Sequence, residues 1–294
     1  MPIPALPDPS VARHDEGFLA SRDGMRLYWQ RFTPPRSLAT VAVIHGAGDH
    51  SGRYPGVVSA LVSAGLTAAL VDLRGHGQSD GTRWHVDRFG EYLDDLDAFV
   101  LALRRHSPSE KLFVIGHSQG GLIAALWGLS HGAEVAGFVL SAPFFALARP
   151  PPLLERLAGR VLGAVAPRLH VSAGLMATQL SADPDVQRWT DRDPLYLRAA
   201  TPRWFAEVKR AQAEALRRAP EFDAPLLVLG AGADTVADTA SAQAFCDAAR
   251  SSDKKLELYD GYRHELFNEV EREVPLSAVR SWITMRAGPR PESR

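Results

Sequence analysis

Apolar residues along this chain fall into two alternating textures. Val41–His45, Leu66–Asp72, 111–115, 136–141 and Leu226–Gly230 are short, nearly unbroken apolar runs, which predict buried strands, and Leu256–Tyr259 predicts one more strand. Between them lie longer stretches with apolar residues every three to four positions: Tyr54–Ala64, Arg88–His106, 120–130, 239–250 and most of 264–285. In Arg88–His106, Phe89, Leu93, Leu96, Phe99, Val100 and Leu103 share one helical face. Gly65 ends the first of these helices. Ahead of them, Phe18–Ala20 and Met25–Phe32 flank Ser21-Arg22-Asp23-Gly24, and Asp-Gly between alternating runs predicts a hairpin. The expected class is α/β: a mostly parallel eight-stranded sheet, opened by an antiparallel hairpin and covered by helices.

Residues 144–202 break the alternation. They open on Arg149-Pro150-Pro151-Pro152, continue with apolar, helix-like segments Leu153–Val165 and Val171–Leu180, and are punctuated by Asp183-Pro184 and Asp193-Pro194. No strand is evident. The expected organisation is a core of 14–143 and 203–286, with 144–202 a helical cap inserted after the sixth strand. Arg203–Arg218 is then the helix that leads back. Leu153, Leu154, Leu157, Val161, Leu162 and Val165 form a broad apolar stripe. Leu154, Leu157 and Val161 are candidate substrate contacts; simple packing of the stripe on the core is the open alternative.

Composition narrows the class further. The 294 residues are 46% apolar and 23% charged, with a net charge of −1, unlike the basic balance of most nucleic-acid binders. Charge is unevenly spread: residues 143–220 carry 12 basic and 7 acidic side chains, a net of +5, and the remainder a net of −6. A basic, apolar cap would suit peripheral contact with a membrane or micelle; solvated arginines are the plainer account. The single cysteine, Cys246, permits no intrachain disulfide and lies in an Ala-rich helical pattern, as a buried inert thiol would. The N-terminal residues lack a basic and then apolar signal pattern, and no apolar run approaches the ~18–20 residues of a membrane span. The expected compartment is the cytoplasm. Residues 1–12 and 287–294 read as polar or Pro-rich tails.

The most specific chemistry lies at 111–121. A strand runs into Gly116-His117-Ser118-Gln119-Gly120, and a helix follows at once. This is the Gly-x-Ser-x-Gly nucleophile elbow in its strand–turn–helix setting, with Gly116 and Gly120 required by the tightness of the turn. Ser118 needs a base, and the base needs an orienting acid. In chain order these follow as Asp234, after strand 226–230, and His264, after strand 256–259. Asp238 competes with Asp234 but sits where the next helix should begin and reads as its cap. His14 and His170 read as exposed, and His106 and His131 as helix-end residues. The oxyanion donors should be the N–H groups of Gln119 and Ala47, the latter in the loop His45-Gly46-Ala47-Gly48-Asp49-His50. That loop, with Asp72 ending the next strand, also imitates a dinucleotide fingerprint, but Ser51 replaces its third glycine. No metal motif occurs, and no cofactor is expected.

Four segments together, His45-Gly-Ala-Gly-Asp-His-Ser-Gly-Arg-Tyr54, Asp72-Leu-Arg-Gly-His-Gly-Gln-Ser79, Gly116-His-Ser-Gln-Gly120 and Asp260-Gly-Tyr-Arg-His264, resemble the monoacylglycerol lipase and lysophospholipase group of α/β-hydrolases. The resemblance covers residues 14–285 and is weak in the cap. It implies an α/β-hydrolase fold, a Ser118–Asp234–His264 triad, Ala47 and Gln119 as oxyanion donors, and a single-chain lipid ester as substrate. Arg53 and Tyr54 match a family block without an assigned role. Mammalian monoglyceride lipases carry a cysteine shortly after the triad acid, whereas this chain reads Asp234-Thr-Val-Ala-Asp238, so thiol sensitivity there is not implied. The expected activity is cofactor-free hydrolysis of monoacylglycerols. A lysophospholipase or short-chain carboxylesterase is the near alternative; a non-catalytic scaffold or a cofactor-free haloperoxidase is the distant one.

Overall fold

The computed structural model of the chain describes residues 3–8, 10–107, 110–150, 152 and 161–288. Strands β1 (Arg13–Ala20) and β2 (Arg26–Thr33) form the expected antiparallel hairpin, longer than its apolar pattern suggested, turning through Gly24 at φ 85°. With β3 (Ala39–Ile44), β4 (Thr67–Val71), β5 (Lys111–His117), β6 (Gly137–Ser141), β9 (Leu226–Ala231) and β10 (Lys254–Tyr259) they make one eight-stranded sheet in the order β1-β2-β4-β3-β5-β6-β9-β10. β2 is antiparallel to both its neighbours; β3, β4, β5, β6, β9 and β10 run parallel.

The period-2 alternation sorts the core. Ala42 and Ile44 of β3, and Leu112 and Val114 of β5, face a cluster with helices α2 (Gly90–His106), α3 (Gln119–His131), α6 (Pro202–Arg218) and α7 (Thr239–Ala248). Val41, Val43, Phe113 and Ile115 face α1 (Pro55–Ser63) and α8 (Glu273–Ala287). The crossover reverses between β3, whose next strand lies to one side, and β5, which lies to the other. Ligand crevices form at such switch points, beyond the carboxyl ends of the strands. The loop after β3 and the elbow after β5 flank that crevice.

Between β6 and α6 the chain leaves the sheet. Residues 161–165 are helical, and α4 (Ala177–Leu180) and α5 (Pro184–Arg192) follow. The expectation of a helix over Val171–Leu180 and of no strand here is corrected. β7 (Val171–Ser172) pairs antiparallel with β8 (Ala199–Ala200), and Gly174 at φ 67° turns the chain before the short α4. The expected helix over 264–285 begins only at Glu273; the residues before it form a loop with one 3-10 turn at Leu266–Asn268.

Candidate active site

Ser118 caps β5 and begins α3 with φ 52° and ψ −116°, a left-handed conformation that L-residues rarely adopt and that stores about 1–3 kcal/mol. Surrounding bonds hold it. Its N–H donates to Ser141 O at 2.9 Å, and its carbonyl accepts from Gly121 N at 2.9 Å and Phe144 N at 3.0 Å. The two glycines are structural requirements. A Cβ on Gly116 would lie 2.3 Å from Gly120 O, and one on Gly120 would lie 2.2 Å from Ile44 O.

The elbow aims the Ser118 hydroxyl at His264, whose Nε2 lies 2.8 Å from Ser118 Oγ. Nδ1 of the same ring lies 2.7 Å from Asp234 Oδ2. Asp234 Oδ1 accepts from Val236 N at 2.7 Å and Ala237 N at 2.9 Å. Burial pushes the Asp234 carboxyl up, but the His264 ring and those two N–H groups hold it below its ordinary value. An ionised carboxylate only accepts, so the proton lies on Nδ1 and Nε2 is free to accept from the serine. Burial alone would lower the His264 pKa; Asp234, Glu265 and Asp49 raise it above the ordinary 6.5. Asp238, the rival acid, caps α7 by accepting from Ser241 N at 3.0 Å. Cys246 is buried and free.

Ala47 lines the cavity above Ser118, and Gln119 is the first residue of α3. Neither N–H donates to a protein group among the described residues. The Gln119 side chain is fixed by Trp204 Nε1, which donates to its Oε1 at 3.0 Å. The dinucleotide alternative does not survive. Both Asp72 oxygens accept from backbone N–H groups, of Ser51 at 2.7 Å and Gln78 at 2.8 Å, and a Cβ on Gly46 would already lie 3.2 Å from Ser118 Cβ.

Arg53 and Tyr54 take definite places. Tyr54 OH donates to Asp49 Oδ2 at 2.8 Å and accepts from Gly46 N at 3.3 Å, bracing the loop that carries Ala47. Arg53 is fully buried. Its Nη2 donates to both Glu265 oxygens at 3.0 Å, its Nε lies 2.9 Å from Asp49 Oδ1, and its guanidinium stacks on Trp189 and Tyr196. Glu265 was missed from sequence; its only signal was its place directly after the candidate base. His117 packs 4.9 Å from the His264 ring, and burial together with His264 lowers its pKa to about 3, so it stays neutral.

The site opens into a cavity of about 350 Å³, the size of a small-ligand pocket. Its walls are mainly apolar, including Phe144, Leu147, Leu162, Leu175, Phe205 and Val236. Val161 is not among them. It is 62% exposed, and its neighbour Leu162 faces the cavity instead. Leu154 and Leu157 lie outside the described residues.

Residues 35–271 match the family model described as serine aminopeptidase, S33. The chain belongs to this family of α/β-hydrolases. It is 33% identical over 279 residues to a monoacylglycerol lipase of Mycolicibacterium smegmatis, covering 93% of this chain and 98% of the relative. It is 32% identical over 249 residues to Phospholipase YtpA of Bacillus subtilis, covering 84% and 95%. The crystal structure of Paleococcus ferrophilus monoacylglycerol lipase superposes with a TM-score of 0.81 at 29% identity, covering 88% and 99%. The family description names a peptidase, while these relatives are named for esters. The chain is a serine hydrolase of carboxylic esters. Among the described residues, no helix is long and apolar enough to cross a membrane.

Proposed function

We propose that this protein hydrolyses monoacylglycerols through an acyl-enzyme on Ser118. The observation that carries the reading is the unbroken chain Ser118–His264–Asp234, at 2.8 and 2.7 Å, facing an apolar cavity. His264 takes the hydroxyl proton as Ser118 attacks the ester carbonyl. The oxyanion receives the N–H groups of Ala47 and Gln119. Protonated His264, held by Asp234, then gives its proton to the departing glycerol oxygen. Water repeats the sequence on the acyl-enzyme and releases fatty acid.

The apolar walls favour a single acyl chain over a peptide, and the lipase relatives favour glycerol as the alcohol. Residues 144–202 act as a cap over the core halves 14–143 and 203–286. This is supported by the share of the cavity lining that they supply, from Phe144 to Pro202. Exposed Val161 and Val165 and the basic balance of 143–220 support peripheral contact with a lipid surface. A lysophospholipase is the second reading, favoured by the similarity to a bacterial phospholipase. A hydrolysis panel crossing acyl length with glycerol, lysophospholipid and p-nitrophenyl leaving groups, with Ser118→Ala as control, tests both. Preference for lysophospholipid over monoacylglycerol of the same chain would overturn the first reading.

A further inference from the structure

Three segments far apart in sequence meet on one fully buried cation. Asp49 lies two residues beyond Ala47. Glu265 directly follows His264. Trp189 and Tyr196 come from the segment that roofs the cavity. Arg53 touches all four. Removing two carboxylates and a guanidinium from water is costly, and such a group is often no more stabilising than an apolar replacement. Stability alone therefore does not account for it.

We propose that Asp49, Arg53 and Glu265 form a positioning cluster for the reaction. Its net negative charge stabilises protonated His264, and its geometry sets the oxyanion loop against the histidine loop. The proposal rests on the hydrolase reading of the same site and assigns to three residues a role that the triad does not supply.

The geometry supports both halves. Asp49 and Glu265 line the cavity beside Ser118 and His264, so their charge acts at the place where the imidazolium forms. Arg53 neutralises one of the two carboxylates, leaving a net charge of −1. Among the described residues, His264 also meets Asp234 from the loop after β9 and neutral His117 from the elbow, and Tyr196, whose hydroxyl burial keeps protonated, lines the same cavity. Arg263, the preceding residue, turns away to the carbonyls of Thr178 and Ser181. Position is fixed at both ends of the cluster. Asp49 holds Gly46 through Tyr54, and Glu265 accepts from Asn268 Nδ2 at 2.8 Å and donates its own N–H to Leu180 O at 2.7 Å.

Charge and geometry can be separated by variants. Glu265→Gln keeps the shape and removes one negative charge. Arg53→Lys keeps the charge but cannot bridge both carboxylates. Two readouts apply: the pH titration of the low-field His264 Nδ1–H proton resonance, assigned by its loss in His264→Gln, and kcat and KM on p-nitrophenyl butyrate. In Glu265→Gln the His264 midpoint should fall by about half a pH unit or more. In Arg53→Lys it should stay within about 0.2 units while kcat falls about tenfold at unchanged KM. Should Glu265→Gln fail to fold, Asp49→Asn removes the same charge from the other side and carries the same expected shift. An unmoved midpoint in a folded charge-removing variant, or wild-type kcat in Arg53→Lys, would overturn the proposal. The resonance needs no substrate, so a wild-type protein without ester hydrolysis would refute the function reading and leave the charge test intact.

Discussion

Replacing Asp234 by Asn gives the sharpest test of the acid, because the structure dictates how the amide must lie. Asp234 Oδ1 accepts two backbone N–H groups, from Val236 and Ala237, at 2.7 and 2.9 Å. An NH₂ group placed there would face two donors. The Asn carbonyl must therefore take that position, and its NH₂ must point at His264 Nδ1. A donor on that side forces Nδ1 to accept and moves the ring proton to Nε2, 2.8 Å from Ser118 Oγ. The base then has no lone pair for the serine proton. A tautomer fixed the wrong way lowers kcat by about ten-thousand-fold, or about 5.5 kcal/mol in the barrier. The assay is kcat on p-nitrophenyl butyrate near pH 8, with circular dichroism and Tm to establish that the variant is folded. Asp238→Asn is the matched control. Asn caps a helix as well as Asp, so both activity and Tm should stay near wild type. A folded Asp234→Asn protein retaining more than a tenth of wild-type kcat would refute the assignment, and the reverse pattern would move the acid to Asp238.

Ser118→Ala and His264→Ala should each remove ester hydrolysis in folded protein, and the double variant should be no slower than the slower single, because the residues act as one unit. Multiplicative losses in single-turnover assays would mean that one of them is misassigned. Leu162→Asp or Leu175→Asp should flatten the acyl-length profile of kcat/KM, which otherwise rises about fourfold per buried CH₂. Val161→Asp, at an exposed position, should leave that profile unchanged; the opposite ranking would show that the wrong face of the segment was taken as the lining. The acid limb of kcat/KM should have its midpoint above 6.5: three carboxylates raise the His264 pKa, and only the neutral ring can accept the serine proton, so activity is lost as pH falls through that raised value. A pH–rate profile with a midpoint below 6 would contradict this sign.

What was legible in the sequence was what local sterics enforce. The elbow needs glycine at 116 and 120 because a Cβ at either would strike backbone within 2.3 Å, so the requirement is written into the residues themselves. Asp234 stands out because it follows the continuous apolar run Leu226–Gly230, and His264 because it follows the shorter alternating edge strand that contains Leu256–Tyr259. Distant pairings were not legible. Val171 pairs with Ala200 across a two-residue ladder, too short to impose an alternating pattern, so the segment read as helix. Of the stripe, Leu154 and Leu157 lie outside the described residues, and Val161 and Leu162 differ in where they face. Neighbouring helical residues differ by about 100°, and a broad stripe does not say which edge meets the cavity; it is Leu162, not Val161. Glu265 acquires its meaning only from Arg53, 212 residues earlier in the chain.

The roof and the chemistry share their supports, which constrains where substrate length can be read. The part of the roof from Ala177 to Thr201 is fastened to both loops that carry site residues. Leu197 N donates to Gly48 O at 2.7 Å, Asp193 Oδ2 lies 2.9 Å from His50 Nε2, and Arg53 stacks on Trp189 and Tyr196. On the other side, Ala182 N donates to Glu269, and Glu265 N to Leu180 O. Displacing this part would pull on Gly48 and Glu265, hence on Ala47 and His264. Residues 161–175 are tied to the site loops at one remove: β7 pairs with Ala199–Ala200 and Ala173 N donates to Arg198 O at 2.9 Å, next to Leu197. His170 reaches Arg83 O and Arg168 reaches Asp87 at exposed positions, and neither partner belongs to the site. The same stretch contributes Leu162 and Leu175 to the apolar wall. Changes in acyl preference therefore belong on side chains of this stretch outside the β7 ladder, such as Leu162, where they disturb the oxyanion loop least. Changes on 189–197 should alter kcat for every ester, short or long, because there the roof is also the scaffold of the catalytic loops.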